Sequence, residues 1–148
     1  MMECDKRSVI VLLIEDDAGH RLLIKESLRA GGIVNEIVEV ENGQEALDYL
    51  SRRSKYEDPA RSPRPGLILL DVNLPKVNGF GVLEQIKADP VLRFIPVIML
   101  TSTDSQTEIN RSYQLGASSY IVKPVSFEGF QDRVKKLGLF LDIVRLPQ

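Results

Sequence analysis

Five short apolar runs recur along this chain, and their spacing limits the folds that it can adopt. They are VIVLLI, EIVEV, LILL, PVIML and YIV, which begin at residues 9, 36, 67, 96 and 120. Segments with helical patterns separate the runs, such as residues 18–30, where apolar side chains stand at 18, 22, 24 and 28. Alternation of strand and helix at this spacing indicates a parallel sheet.

The second run differs from its neighbours and predicts the strand order. The first, third and fourth runs are apolar throughout, as expected for strands that are buried on both faces, whereas the second run alternates apolar residues with Glu39 and Glu41. This alternation predicts an edge strand. Right-handed crossovers then favour a five-stranded, doubly wound α/β sheet in the order 2-1-3-4-5 with helices on both faces, the flavodoxin-like arrangement.

Length and charge exclude several classes of protein. The 148 residues suit one domain, which we place at 9–141, with an N-terminal tail at 1–8 and a C-terminal extension at 142–148. A net charge of −2 provides no positive field to attract nucleic acid or anionic lipid. No apolar run approaches the ~20 residues of a membrane helix. The single cysteine, Cys4, permits no internal disulfide, which fits the reducing cytoplasm.

Carboxylates gather where this topology predicts a binding site. Glu15, Asp16 and Asp17 follow the first run, and Asp71 follows the third. Ligands of doubly wound sheets bind at the carboxyl ends of the strands, near the point where the strand order reverses, which here lies between strands 1 and 3. Crowded carboxylates repel one another unless a cation compensates, and oxygen ligands are those that Mg2+ prefers. We therefore expect a Mg2+ site at this edge.

A hydroxyl and a lysine complete a set of motifs at the same edge. Thr101 follows the fourth run, and Lys123-Pro124 follows the fifth. Together with the acidic pair after strand 1 and D-x-N-x-P-x-x-x-G after strand 3, these motifs resemble those of the receiver domain of two-component response regulators. The resemblance rests on these four motifs, which stand in order at the ends of four predicted strands.

The resemblance implies a role for each acidic residue. Asp71 resembles the phosphoacceptor, which attacks the phosphorus of a phosphohistidine on a sensor histidine kinase and also contacts the metal. Asp16 resembles the direct metal ligand, and Glu15 the acidic neighbour that reaches the metal through water. Asn73 resembles the residue that supplies a backbone carbonyl to Mg2+.

The resemblance also implies a switch. Thr101 resembles the hydroxyl that moves to bond the new phosphoryl oxygen, and Lys123 the cation that pairs with it, aimed inward by a cis bond to Pro124. Movement of the hydroxyl would let Tyr120 turn inward and remodel the face formed by helix 4, strand 5 and helix 5. A simple packing role for Tyr120 is the alternative.

Four further features favour structural interpretations. We expect Asp17 to begin the first helix in solvent, and His20 to be an exposed surface residue. Asn78-Gly79 should form the turn into the third helix, since both residues accept positive φ. Residues 51–65, with five basic residues and three prolines, predict a solvated loop, with a partner-contacting surface as the alternative.

Partners follow from the same resemblance. The long 51–65 segment, the NLPKVNGFGVLEQIKADP stretch and the terminal VRLP together resemble the small, stand-alone response regulators encoded with bacterial and cyanobacterial phytochromes, so a bacteriophytochrome is one candidate for the kinase. Residues 127–146 carry more apolar side chains than one helix face can bury, which predicts a two-fold symmetric homodimer or a tail folded back on its own domain.

Other classes of function remain as alternatives. The resemblance implies a signalling protein that catalyses only its own phosphorylation and dephosphorylation. Phosphatases with an aspartyl-phosphate intermediate generally need a second aspartate two residues after the nucleophile, where this chain has Asn73. A pseudo-receiver that is never phosphorylated is a further alternative, and the complete set of motifs disfavours it.

Overall fold

The computed structural model describes residues 9–101 and 105–122. Within these residues the strands are β1 Val11–Ile14, β2 Ile37–Val40, β3 Leu67–Asp71, β4 Val97–Thr101 and β5 Ser119–Val122. The α-helices are α1 Ala18–Ala30, α2 Gly43–Ser51, α3 Gly79–Ala88 and α4 Gln106–Gln114, and two 3₁₀ turns span Ser54–Tyr56 and Leu92–Phe94. The predicted tail 1–8, helix 5 and the extension 142–148 lie outside the described residues.

The strands form one parallel sheet in the order β2-β1-β3-β4-β5, as the sequence predicted. Val11 pairs with Ile37 on one side and with Leu67 on the other, so β1 lies inside the sheet between β2 and β3. The flavodoxin-like, doubly wound arrangement is confirmed. Its strand order reverses beside β1, which places the carboxyl ends of β1 and β3 next to each other.

Alternate residues of the inner strands supply two apolar layers, one on each face of the sheet. Leu12, Ile14, Ile68, Leu70 and Met99 pack with side chains of α2 and α3 on one face. Leu13, Leu67, Leu69, Ile98 and Leu100 pack with α1 residues on the other face. Burial of one such side chain stabilises the fold by about 1.5–3 kcal/mol, so the central strands provide a rigid base for groups at their ends.

The edge position of β2 is confirmed, and charged side chains cover it. Glu39 on this strand lies 3.0 Å from Lys25 Nζ and 3.3 Å from Arg21 Nε, both on α1. Ion pairs on an exposed edge strand hinder its pairing with a strand of another molecule. Val40 on this strand is buried, whereas Glu39 and Glu41 are exposed, which accounts for the alternation in the sequence.

The segment 51–65 is more ordered than a solvated loop. Most of its side chains are exposed, as predicted, but Ser51 ends α2 and Ser54–Tyr56 forms a 3₁₀ turn. The rings of Tyr56 and Tyr49 meet edge to face with centroids 5.1 Å apart. Ser62 is 1% exposed, and its hydroxyl lies 2.8 Å from the carbonyl oxygen of Tyr56. The segment therefore packs against α2.

The turn into α3 forms differently from the prediction. Asn78 has a φ of −71° and caps α3, accepting a hydrogen bond from the backbone N–H of Gly81 at 3.0 Å. The positive φ in this turn belongs to Lys76, at 68°. The expectation of positive φ at Asn78 and Gly79 was wrong, because the helix begins at Gly79 and the reversal precedes it. Glycine is needed at position 79 for close packing instead.

Candidate functional site

Three carboxylates meet at the carboxyl ends of β1 and β3. Glu15, Asp16 and Asp71 each offer an oxygen atom, and these atoms all lie within 4.8 Å of one another. Ile14 pairs with Leu70, so the residues that follow on the two strands, Glu15 and Asp71, are neighbours. Glu15 is 0% and Asp71 2% exposed, whereas Asp16 is exposed. The sequence predicted that these three groups would come together.

The chemistry of this cluster fits a hard divalent cation. Buried carboxylates are costly to ionise beside one another, and a cation between them removes that cost. The donor set consists of carboxylate oxygens, with no sulfur among the three residues, and such a set suits Mg2+ better than softer metals. Asp16 is the exposed member of the cluster.

Two groups at the start of α1 hold the Glu15 side chain. His20 Nδ1 lies 3.1 Å from Glu15 Oε1, and the backbone N–H of Asp17 donates to the same oxygen at 3.4 Å. Asp17 is the N-cap of α1, as predicted, and accepts from the His20 backbone N–H at 2.9 Å. His20 is half exposed, but its contact with Glu15 was missed. The helix start at Asp17 was the available signal, because it places His20 on the first turn.

Arg21 fixes the backbone that carries the acidic pair. Its Nη1 donates to the carbonyl oxygen of Glu15 at 2.8 Å and to that of Asp16 at 3.1 Å. Its Nε lies 3.3 Å from Glu39 and its Nη2 lies 3.6 Å from Glu41. The guanidinium thus ties the loop after β1 to the edge strand. The role of Arg21 at the site was also not predicted from the sequence.

Asp71 ends β3 and is enclosed by the loop that follows. Its Oδ1 accepts from the backbone N–H of Asn73 at 3.2 Å, and Val72 donates to the carbonyl of Leu100 at 2.9 Å. The Gly79 N–H donates to the Val72 carbonyl at 2.9 Å, which folds the loop back toward the strand. The side chain of Asn73 is exposed. Its predicted role as a carbonyl ligand stays a prediction.

Thr101 and Tyr120 lie on neighbouring strands at the same end of the sheet. Thr101 is fully buried and stands one residue beyond Leu100, the partner of Asp71. Tyr120 pairs with Met99, is half buried, and packs against the apolar layer that contains Met99. Paired residues of parallel strands face the same side, so Tyr120 lies on the face of Met99 and Thr101. Lys123 and Pro124 lie outside the described residues, and their predicted roles and cis bond stay predictions.

A second charged cluster lies beside the site and includes part of the 51–65 segment. Glu45 on α2 accepts a hydrogen bond from the Tyr56 hydroxyl at 2.5 Å and lies 3.3 Å from Lys55 Nζ. Partial burial opposes ionisation of Glu45, but the hydrogen bonds from Tyr56 and Lys55 hold its pKa below the ordinary value. Burial and the Glu45 carboxylate raise the pKa of Tyr56. The 3₁₀ turn is thereby fastened to α2.

None of the helices among residues 9–101 and 105–122 combines the length and the apolar character that crossing a bilayer requires.

Comparison with known proteins identifies the family. The family model described as the response regulator receiver domain matches residues 11–135. Response regulator Rcp1 of Synechocystis sp. is 36% identical over 139 residues, which cover 93% of this chain and 92% of that protein. The crystal structure of its Mn(2+)-bound form has a TM-score of 0.83 at 35% identity, covering 95% of this chain and 99% of that chain.

A second solved structure gives the same assignment. The phosphorylated cyanobacterial phytochrome response regulator RcpA has a TM-score of 0.84 at 37% identity, again covering 95% of this chain and 99% of that chain. The fold and strand order agree with these matches. The chain therefore belongs to the family of response regulator receiver domains, and it is similar to a cyanobacterial phytochrome response regulator.

Proposed function

We propose that this protein accepts a phosphoryl group on Asp71 from a sensor histidine kinase, in a reaction that requires Mg2+. The observation that carries the proposal is the position of Asp71. It is a buried carboxylate at the end of a central strand, within 4.8 Å of the carboxylate oxygens of Glu15 and Asp16. A nucleophile in this setting is held rigidly by the sheet and lies beside the groups that can bind a cation.

The transfer step follows from the chemistry of a carboxylate. A side-chain oxygen of Asp71 forms a bond to the phosphorus of a phosphohistidine while the phosphorus–nitrogen bond breaks. The electron pair of that bond returns to the imidazole nitrogen, and Asp71 becomes an acyl phosphate. Asp16 and Asp71 would hold Mg2+ through carboxylate oxygens, Glu15 through a water molecule, and Asn73 through its backbone carbonyl. When bound, the ion would neutralise charge on the phosphoryl group and would favour in-line attack.

Thr101, Lys123 and Tyr120 form the proposed switch. The Thr101 hydroxyl would bond the new phosphoryl oxygen and Lys123 would pair with it, with the Lys123-Pro124 bond in the cis form. Thr101 and Tyr120 lie on one face of adjacent strands, so displacement of Thr101 changes the space beside Tyr120. An added charge of about −1 to −2 is sufficient to bias such a local two-state element. The face of α4, β5 and the following helix would carry the signal.

The partner and the assembly state are part of the proposal. Related proteins are phytochrome response regulators, which supports a bacteriophytochrome-type histidine kinase as the phosphoryl donor in the cytoplasm. The apolar residues of 127–146 support a two-fold homodimer. Light scattering of the full chain and of a truncation after Gly138 tests this assembly, with and without beryllofluoride. Monomers in every sample would contradict it.

A phosphatase acting on other substrates is the weaker candidate. Asn73 occupies the position two residues after the nucleophile, and an amide cannot act as the acid and base that such an enzyme uses. The experiment that tests the proposed function is labelling by radioactive acetyl phosphate or by a phosphorylated kinase. Asp71→Asn should take up no label, and the wild-type label should be released by hydroxylamine, as expected for an acyl phosphate.

Asp17→Asn is the matched control for this experiment. It removes a neighbouring carboxylate but keeps the side-chain oxygen that caps α1, because asparagine caps helices as well as aspartate does. This variant should be labelled like the wild type. Equal labelling of Asp71→Asn would refute the proposed phosphoacceptor.

A further inference from the structure

His20 contacts the buried carboxylate of the acidic cluster from the first turn of α1. The backbone N–H groups of His20 and Arg21 donate to Oδ1 and the carbonyl oxygen of Asp17, both at 2.9 Å, so the first turn is fixed at its start. From this first turn the His20 imidazole reaches Glu15, and its Nδ1 lies 3.1 Å from Glu15 Oε1. An ionised carboxylate can only accept hydrogen bonds, so this contact favours the form of the ring that carries a proton on Nδ1.

The contact between His20 and Glu15 affects the buried Glu15 more than the half-exposed His20. The His20 side chain is 53% exposed, so it contributes little apolar burial to the fold. Glu15 is fully buried, and its Oε1 lies against both His20 Nδ1 and the N–H of Asp17. These two contacts restrict the position of Oε1. The imidazole thus determines the orientation of Glu15 more than it determines the stability of α1.

We propose that His20 is a positioning residue that orients Glu15 for a divalent cation. This inference rests on the proposed function, because it assigns His20 to the metal site of that reaction. A carboxylate that is already oriented loses less conformational freedom when an ion binds, which increases affinity. Loss of a group that orients a metal ligand typically lowers metal affinity by about 10–100-fold.

Substitution of His20 by asparagine or leucine tests the positioning role. Asparagine carries an N–H donor on its δ nitrogen, at the same position along the side chain as His Nδ1, whereas leucine has similar bulk and no donor. His20→Leu should lower Mg2+ affinity by about 10-fold, and His20→Asn should retain wild-type affinity. Titration calorimetry with Mg2+ and electron paramagnetic resonance with Mn2+ measure this directly, in the absence of any phosphoryl donor.

The outcomes separate positioning from packing. Weak binding by His20→Leu together with wild-type binding by His20→Asn supports the proposal. Equal weakening of both variants would assign His20 to packing alone and overturn it, as would wild-type or tighter binding by His20→Leu. Urea unfolding of the metal-free variants should give free energies close to that of the wild type, since the side chain is half exposed.

Failure of this inference is distinguishable from failure of the proposed function. If the wild type binds Mg2+ and is labelled on Asp71 but His20→Leu binds equally well, only the role of His20 is refuted. If the wild type binds neither Mg2+ nor Mn2+, the metal requirement of the proposed function fails and the role of His20 fails with it. If it binds metal with the predicted dependence on position 20 but Asp71 takes up no label, the positioning role stands without the phosphoacceptor.

Discussion

Gly79 lies so close to Asp71 that a Cβ atom at position 79 would overlap the carbonyl oxygen of Asp71. Its φ is not in the positive range, so the requirement for glycine here is steric. Gly43 at the start of α2 has a similar relation to the carbonyl of Val77 in the same loop. The loop that follows Asp71 thus packs closely against the first residues of α2 and α3, and both of these residues are glycines.

Gly79→Ala should therefore destabilise the protein. The added methyl group meets backbone and cannot be relieved by a rotamer change, and overpacking of this kind costs about 1–3 kcal/mol. Urea unfolding measures the change. Gly81→Ala is the control on the same helix, since its Cβ would meet side-chain atoms and no backbone, with Val77 Cγ1 at 3.2 Å and Asn78 Oδ1 at 3.7 Å. An equal effect of the two substitutions would contradict the steric explanation.

Asp16→Asn should reduce stabilisation of the protein by Mg2+. An ion that binds only the folded state stabilises it by about 2.7 kcal/mol at a concentration of 100 times its Kd. Asp16 is exposed, so the substitution should leave the metal-free protein as stable as the wild type or more stable, because one of three clustered charges is removed. Urea unfolding with and without Mg2+ checks both parts. Equal Mg2+-dependent stabilisation of the two proteins would exclude Asp16 as a ligand.

Much of this architecture could be predicted from the sequence for physical reasons. Central strands buried on both faces must be apolar throughout, so LILL and its counterparts mark β3 and the other inner strands. Parallel strands end at one edge, so residues that follow different runs, such as Glu15 and Asp71, become neighbours. These inferences need only periodicity and topology.

The remaining features depend on contacts that periodicity does not encode. The approach of His20 to Glu15 requires a particular rotamer on the first turn of α1. The order of residues 51–65 depends on hydrogen bonds across the segment, such as that from the Tyr49 hydroxyl to the Pro63 carbonyl at 2.7 Å. A polar, proline-rich composition is typical of loose loops and of packed loops alike. The composition of residues 51–65 therefore could not predict which of the two this segment forms.

Ser62→Ala should loosen the 51–65 segment. The Ser62 hydroxyl lies 2.8 Å from the Tyr56 carbonyl oxygen and 3.0 Å from that of Asp58, and losing a buried hydrogen bond costs about 1 kcal/mol. Limited trypsin digestion is the measurement, because the segment contains several arginines and its cleavage follows local opening. Ser51→Ala, at an exposed position on α2, should leave the cleavage rate unchanged. A Ser62→Ala protein that is cleaved no faster would show that other contacts hold the segment.

Tyr56→Phe should destabilise the protein by about 1.5 kcal/mol near neutral pH, because it removes a hydrogen bond to the Glu45 carboxylate. Glu45 has a lowered pKa in the folded state, so its ionised form contributes stability above its ordinary pKa of 4.5, and this contribution is lost as pH falls through the folded value. Tyr56 has a raised pKa, so its contribution is lost as pH rises above 10.0. Urea unfolding of the wild type and of Tyr56→Phe across this pH range is the measurement. The difference between their free energies of unfolding should be largest between pH 4.5 and pH 10.0 and smaller in acid.

Tyr49→Phe is the control. It removes a hydrogen bond to the neutral Pro63 carbonyl, and its effect on the free energy of unfolding should not change below pH 4.5. The same acid dependence in both variants would contradict the assigned role of Glu45.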